Sequence, residues 1–171
     1  MMTLRDTARC LAVGLMFLFN GTLGARAQQT PALNPIPAAE CQKFAASIHD
    51  ATAFTTTAGE DDYTDVTTGG EGRSCHITGS ASDQAYAAPA DLVAKIAGVF
   101  SGWTDEPDRT AEGPDGAEKG YVSGAQIATV DVSWEPGPGV ACSDKAPLSS
   151  CHILPQQKLW NIVVDIVQTA K

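Results

Sequence analysis

Cysteine occurs at positions 10, 41, 75, 142 and 151, and nothing else in the chain limits its fold as tightly once the compartment is known. The first residues indicate the compartment. MMTLRDTAR carries Arg5 and Arg9, CLAVGLMFLFNGTLG is an apolar run, and Ala25-Arg26-Ala27 precedes Gln28. A positive start, an apolar core and an A-x-A site have the form of a Sec-type export signal cut after Ala27. The core falls short of the ~20 apolar residues of a membrane-spanning helix. Cys10 lies ahead of the apolar run and no Arg-Arg pair is present, which argues against a lipid anchor and a twin-arginine route. The expected mature chain is 144 residues, 171 less the 27 removed, enough for one domain with a core. Its expected location is the bacterial periplasm or the medium, with no membrane insertion.

Cleavage leaves Cys41, Cys75, Cys142 and Cys151. An even number in an exported chain predicts two disulfides, and four cysteines allow three pairings. Cys142 and Cys151 bracket a compact run, CSDKAPLSSC, and are expected to pair locally. Cys41 is then left for Cys75, which ties an N-terminal helix to a strand.

The tripeptide Cys-His-Ile occurs twice, at Cys75-His76-Ile77 and Cys151-His152-Ile153, and invites a metal reading. Geometry argues against it. GRSCHITGS reads as a strand, where adjacent side chains point to opposite faces. Structural zinc sites separate the ligands of each half by two or more residues. Neither C-x-x-C nor C-x-x-C-H is present, so no redox motif or haem attachment is expected. No cofactor is predicted. A weak calcium alternative uses Glu60, Asp61, Asp62 and Asp65, although the order of an EF-hand loop is missing.

Charge narrows the partners. The segment removed carries +2 (Arg5, Arg9 and Arg26 against Asp6), so the net −9 of the whole chain becomes −11. Such a chain repels nucleic acid and anionic lipid and favours a basic protein or a neutral ligand.

Along the chain, residues 28–37 hold three prolines and read as a flexible leader before a single domain over 38–171. AAECQKFAASIHDAT has Cys41, Phe44, Ala45 and Ile48 at helical spacing. Tyr63 to Thr68 and Arg73 to Gly79 read as a hairpin about Gly69-Gly70 and Gly72, with Cys75 and Ile77 facing one way and His76 and Thr78 the other. Ala88 to Trp103 is the clearest helix, with Pro89 and Asp91 at its start and a stripe of Leu92, Ile96, Val99 and Phe100. A short strand near Asp108 to Glu112, a long one from Gly120 to Glu135 and a last one in KLWNIVVDIVQTA follow. The prediction is a two-layer α+β domain, order α-β-β-α-β-β-β, with an antiparallel sheet of about five strands packed on two helices. The second face of the last strand, Asn161, Val163, Asp165 and Val167, is mixed in polarity, so one side of the sheet is expected to be wetter. Trp103, Trp134 and Trp160 are expected to cluster at one end of the core.

No G-x-S-x-G is present, and Ser74 and Ser150 each precede Cys-His without implying a triad. The pattern favours a non-enzymatic, inhibitor-like binding module for another envelope or secreted protein. Its candidate loop is Pro136, Pro138, Asp144, Lys145, Pro147, His152 and Pro155, a proline-rich segment closed by the second disulfide. The alternatives are a small-ligand or carbohydrate binder using a sheet face or cleft and, third, a small exported hydrolase.

Overall fold

A computed structural model describes residues 32–82, 84–140, 151 and 153–169. Seven strands and two α-helices follow in the order β1 (Leu33–Pro35), α1 (Ala38–Thr52), β2 (Thr55–Thr64), β3 (Glu71–Ala81), α2 (Pro89–Ala97), β4 (Thr104–Glu112), β5 (Gly116–Ser123), β6 (Gln126–Pro136) and β7 (Lys158–Thr169). All strands belong to one sheet, ordered β2-β3-β1-β7-β6-β5-β4. The short β1 is wedged in at one end, parallel to β3 and antiparallel to β7, and beyond it β3 pairs directly with β7. The class is α+β as predicted, but the sheet is mixed and larger than five antiparallel strands.

Three local features account for the difference. The predicted leader contains β1: Leu33 and Ile36 are buried, and a side chain on Gly72 would collide with the carbonyl of Leu33. Three residues are too few to show a period. The predicted strand from Gly120 to Glu135 is two strands folded at Gly124-Ala125, where Gly124 has φ 60°, a left-handed conformation suited to the first position of a tight hairpin turn. Third, β2 spans Thr55–Thr64 rather than Tyr63 to Thr68. Its acidic run suits an edge strand, where charge discourages pairing with other chains.

The helices cover one face. In α1, Cys41, Ala45, Ile48 and Thr52 are buried at helical spacing. The helix stops at Ala53, which takes a left-handed φ of 62° and donates its N–H to the carbonyl of His49. In α2, Pro89 occupies the first turn and the Asp91 carboxylate accepts the N–H groups of Ala87 and Ala88; Leu92, Val93 and Ile96 are buried. They meet the inward residues of β3 (Cys75, Ile77), β6 (Ala128, Val130, Val132, Trp134) and β7 (Trp160, Ile162, Val164, Ile166) in one apolar core. The disulfide Cys41–Cys75, with its Cα atoms 5.7 Å apart, fastens α1 to β3 inside this core. No described helix is long and apolar enough to cross a membrane.

Candidate functional site

Period-two alternation sends the polar residues of the same strands to the other face, which neither helix covers. The sheet register sets them in rows. His76 of β3 lies beside Asp165 of β7, which lies beside Thr129 of β6 and then Gly120 of β5. The next row on this face runs Thr78, Val163, Asp131, Glu118.

Ser74, His76 and Asp165 form the first constellation. Ser74 donates its hydroxyl to Asp165 Oδ1 at 2.5 Å, and the His76 Nδ1–H donates to the same oxygen at 2.9 Å. A nucleophilic relay needs the histidine between serine and carboxylate. Here the carboxylate stands between, and Ser74 shares no hydrogen bond with His76. The arrangement fixes the imidazole and orients its other nitrogen away from Asp165; it does not activate Ser74.

Asp65 and Arg109 form the second. The turn after β2 reaches over one end of the face: the Tyr63 hydroxyl lies 3.2 Å from Thr129 Oγ1 on β6. Asp65 then meets Arg109, from an irregular stretch of β4 between Glu106 and Ala111, in a two-pronged pair, Nη1 to Oδ1 and Nη2 to Oδ2 at 2.7 Å. Both side chains are almost fully buried, Asp65 at 1% exposure and Arg109 at 6%. Asp65 also accepts the Thr67 N–H and the Thr68 hydroxyl. Burial pushes its carboxyl up, but Arg109, the Thr68 hydroxyl and the Thr67 N–H together outweigh this and hold it at about 2. Gly120 makes room, since a Cβ there would lie 2.4 Å from Arg109 Cβ. The clamp holds the turn rigid and displays Val66, which is 84% exposed.

Glu118 and Asp131 form the third. They are direct cross-strand neighbours of β5 and β6, an arrangement that is unfavourable for like charges. Partial loss of water raises both carboxyls above their usual range, although Glu118 is only half-buried and Asp131 is largely exposed, and the charge of Asp131 raises Glu118 further, partly offset by Arg109. Neither has an ion-pair partner among the described residues.

The residues singled out from sequence are dispersed. Glu60 and Asp62 face Arg73 across β2 and β3 at 3.3 Å each, and Asp65 is engaged by Arg109. The four calcium candidates therefore do not converge, and no group of three or more metal-ligating side chains occurs among the described residues. Of the candidate loop, Pro136 ends β6, Pro138 follows it and Pro155 begins a short 3₁₀ turn. Asp144, Lys145, Pro147 and His152 lie outside the described residues, as does Cys142, although Cys151 is disulfide-bonded. The three tryptophans all reach the one core, Trp103 partly buried against it, but among the described residues no ring contact joins Trp103 to the other two. Trp134 pairs with Trp160 across β6 and β7, whereas Trp103 packs edge-on against Phe44 and Phe100, because Gly102 at φ 88° turns the chain after α2 toward β4. The site residues that sequence alone does not reveal are Thr129, Arg109, Glu118 and Asp131. Alternation puts Ser74, His76 and Asp165 on wetter faces, but only the register of β3 against β7 brings them together. Comparison with protein-family models, with curated proteins and with solved structures finds no match to this chain.

Proposed function

We propose that this chain is an exported, acidic, disulfide-stabilised module that binds another envelope or secreted protein, and that it does so with the uncovered sheet face. The observation that carries the proposal is the Glu118–Asp131 pair, two neighbouring carboxylates on that face, both with raised pKa and no cation of their own. The repulsion, which Arg109 offsets only in part, is relieved when a partner places a lysine or arginine between them. The net charge of −9 steers a basic partner toward the face. Beside it, the rigid turn offers Val66 as an apolar contact, at a lower entropic cost than a floppy loop would incur. An inhibitor of a basic secreted hydrolase is one such module. Export rests on the N-terminal signal pattern and agrees with the Cys41–Cys75 disulfide.

The test is capture from envelope extract by three forms: the wild type, a Glu118→Gln/Asp131→Asn variant, and a deletion of residues 140–152 confirmed as folded. Capture of a basic protein by wild type and deletion, and its loss with the double variant, is the expected result. Equal capture by the double variant contradicts the assignment of the face, and loss in the deletion moves the surface to the loop after β6.

A further inference from the structure

Lys158 opens β7 on the helix-covered side of the sheet, opposite the face described above, and is only 8% exposed. Its ammonium lies over two indole rings, 4.0 Å from the centre of Trp134 and 5.2 Å from that of Trp160. Ring faces hold a cation but do not neutralise it. No carboxylate pairs with Lys158 among the described residues. The Trp160 indole N–H beneath it is also buried, with no hydrogen-bond partner there. Acids outnumber bases in this chain, 20 to 11, so a buried cation left without one has no bland explanation in composition. An ammonium taken out of water without a counter-ion is costly, and burial accordingly lowers the pKa of Lys158.

The ammonium is not sealed in. Lys158 lines a cleft of about 400 Å³ with Ser82, Gly137, Gly139 and Gln156. The glycines bring backbone close: a Cβ on Gly137 would lie 2.8 Å from the Gln157 carbonyl, and Gly139 has φ 82°. The cleft therefore joins a fixed buried cation to backbone and amide groups, in a volume suited to a small solute.

We propose that this cleft binds a small monoanionic carboxylate, its carboxylate group paired with the Lys158 ammonium. A single cation matches a single negative charge. A phosphate dianion would require more cations, and the net charge of the chain opposes it. The proposal is independent of the protein-binding face, so either can fail alone.

The test uses protein labelled at lysine side chains, with acetate as the minimal probe and inorganic phosphate as the comparison, both at constant ionic strength. The expected result is a saturable shift of the Lys158 ammonium resonance with acetate, a parallel saturable change in tryptophan emission, and a weaker response to phosphate. Lys158→Met should abolish the emission change. The resonance measurement needs no variant, so it decides the matter even if that substitution unfolds the protein. A response to acetate that never saturates overturns the proposal. So does tighter saturation by phosphate, or an unchanged emission response in a folded Lys158→Met protein.

Discussion

The carboxylate of Asp65 and the guanidinium of Arg109 tie the two opposite edges of the sheet together. Asp65 follows β2, the first strand in the sheet order, and Arg109 belongs to β4, the last. The pair is buried and two-pronged, and it passes over one end of the uncovered face. Each partner also holds local structure: Asp65 organises the turn through Thr67 and Thr68, and Arg109 fills the space left by Gly120. The face that results is bounded at one end by this clamp, and Glu118 and Asp131 lie in the row next to Thr129 and Gly120, beside Arg109.

Breaking the clamp on one side should be costly. Arg109→Met leaves a buried carboxylate alone, and Asp65→Asn leaves a buried guanidinium alone; each should destabilise by about 3–5 kcal/mol in urea unfolding. Replacing both together should cost clearly less than the sum of the two, because the penalty is that of an unpaired buried charge. Additive losses would show that the pair does not act as a unit.

The same pair gives an acid signature. The folded pKa of Asp65, about 2, lies below its ordinary value of 3.8. A depressed carboxyl stabilises the fold above its unfolded pKa and loses that contribution as pH falls through the folded one. Wild type should therefore lose about 2 kcal/mol between roughly pH 4 and pH 2 through this group. Asp65→Asn should lack that part of the slope. A variant with the same acid profile as wild type would place the acid sensitivity elsewhere.

Glu118 and Asp131 act in the opposite sense. A raised carboxyl favours the fold while protonated, and the benefit is gone once pH has risen through its folded pKa. At neutral pH their charges oppose folding. Glu118→Gln or Asp131→Asn should thus stabilise the free protein by roughly 0.5 kcal/mol, a small figure because solvent screens the exposed Asp131. The same substitutions should weaken capture of a basic partner. Gain of stability with loss of binding is the pattern of a functional site; loss of both would indicate a structural role.

The Cys41–Cys75 bridge closes a sequence separation of 34 residues and joins α1 to β3 in the core. Replacing both cysteines with alanine should cost about 3–4 kcal/mol, mostly through the unfolded chain. Thermal unfolding of the wild type and of that variant, both without reductant, measures it, since reductant would also open the bridge at Cys151. Equal stability of the two proteins would mean that core packing alone holds α1 in place.

Much of the helix-covered layer can be read from the chain, because its residues carry a local period. Cys41, Ala45 and Ile48 on α1, Leu92 and Ile96 on α2, and the alternating runs from Ala128 to Trp134 and Trp160 to Ile166 all bury the side that sequence predicts. What escapes is non-local. Leu33 and Ile36 become core only because β3 and β7 splay to admit β1. The fold between β5 and β6 rests on Gly124, one glycine within a continuous β-prone run. The uncovered face is the least legible part. Asp65 meets Arg109 across 44 positions, Ser74 meets Asp165 across 91, and Glu118 faces Asp131 only through the register of β5 on β6. No short-range spacing encodes those encounters.

On the reading proposed above, Glu118 and Asp131 hold a repulsion, offset only in part by Arg109, that a basic partner relieves. Residue-resolved carboxyl titration by NMR tests it most directly, in the free protein and then with a lysine-rich peptide added. Both carboxyls should titrate above the usual carboxylate range when free and move down when the peptide binds. Titration of both at ordinary values in the free protein, with no response to the peptide, would contradict it.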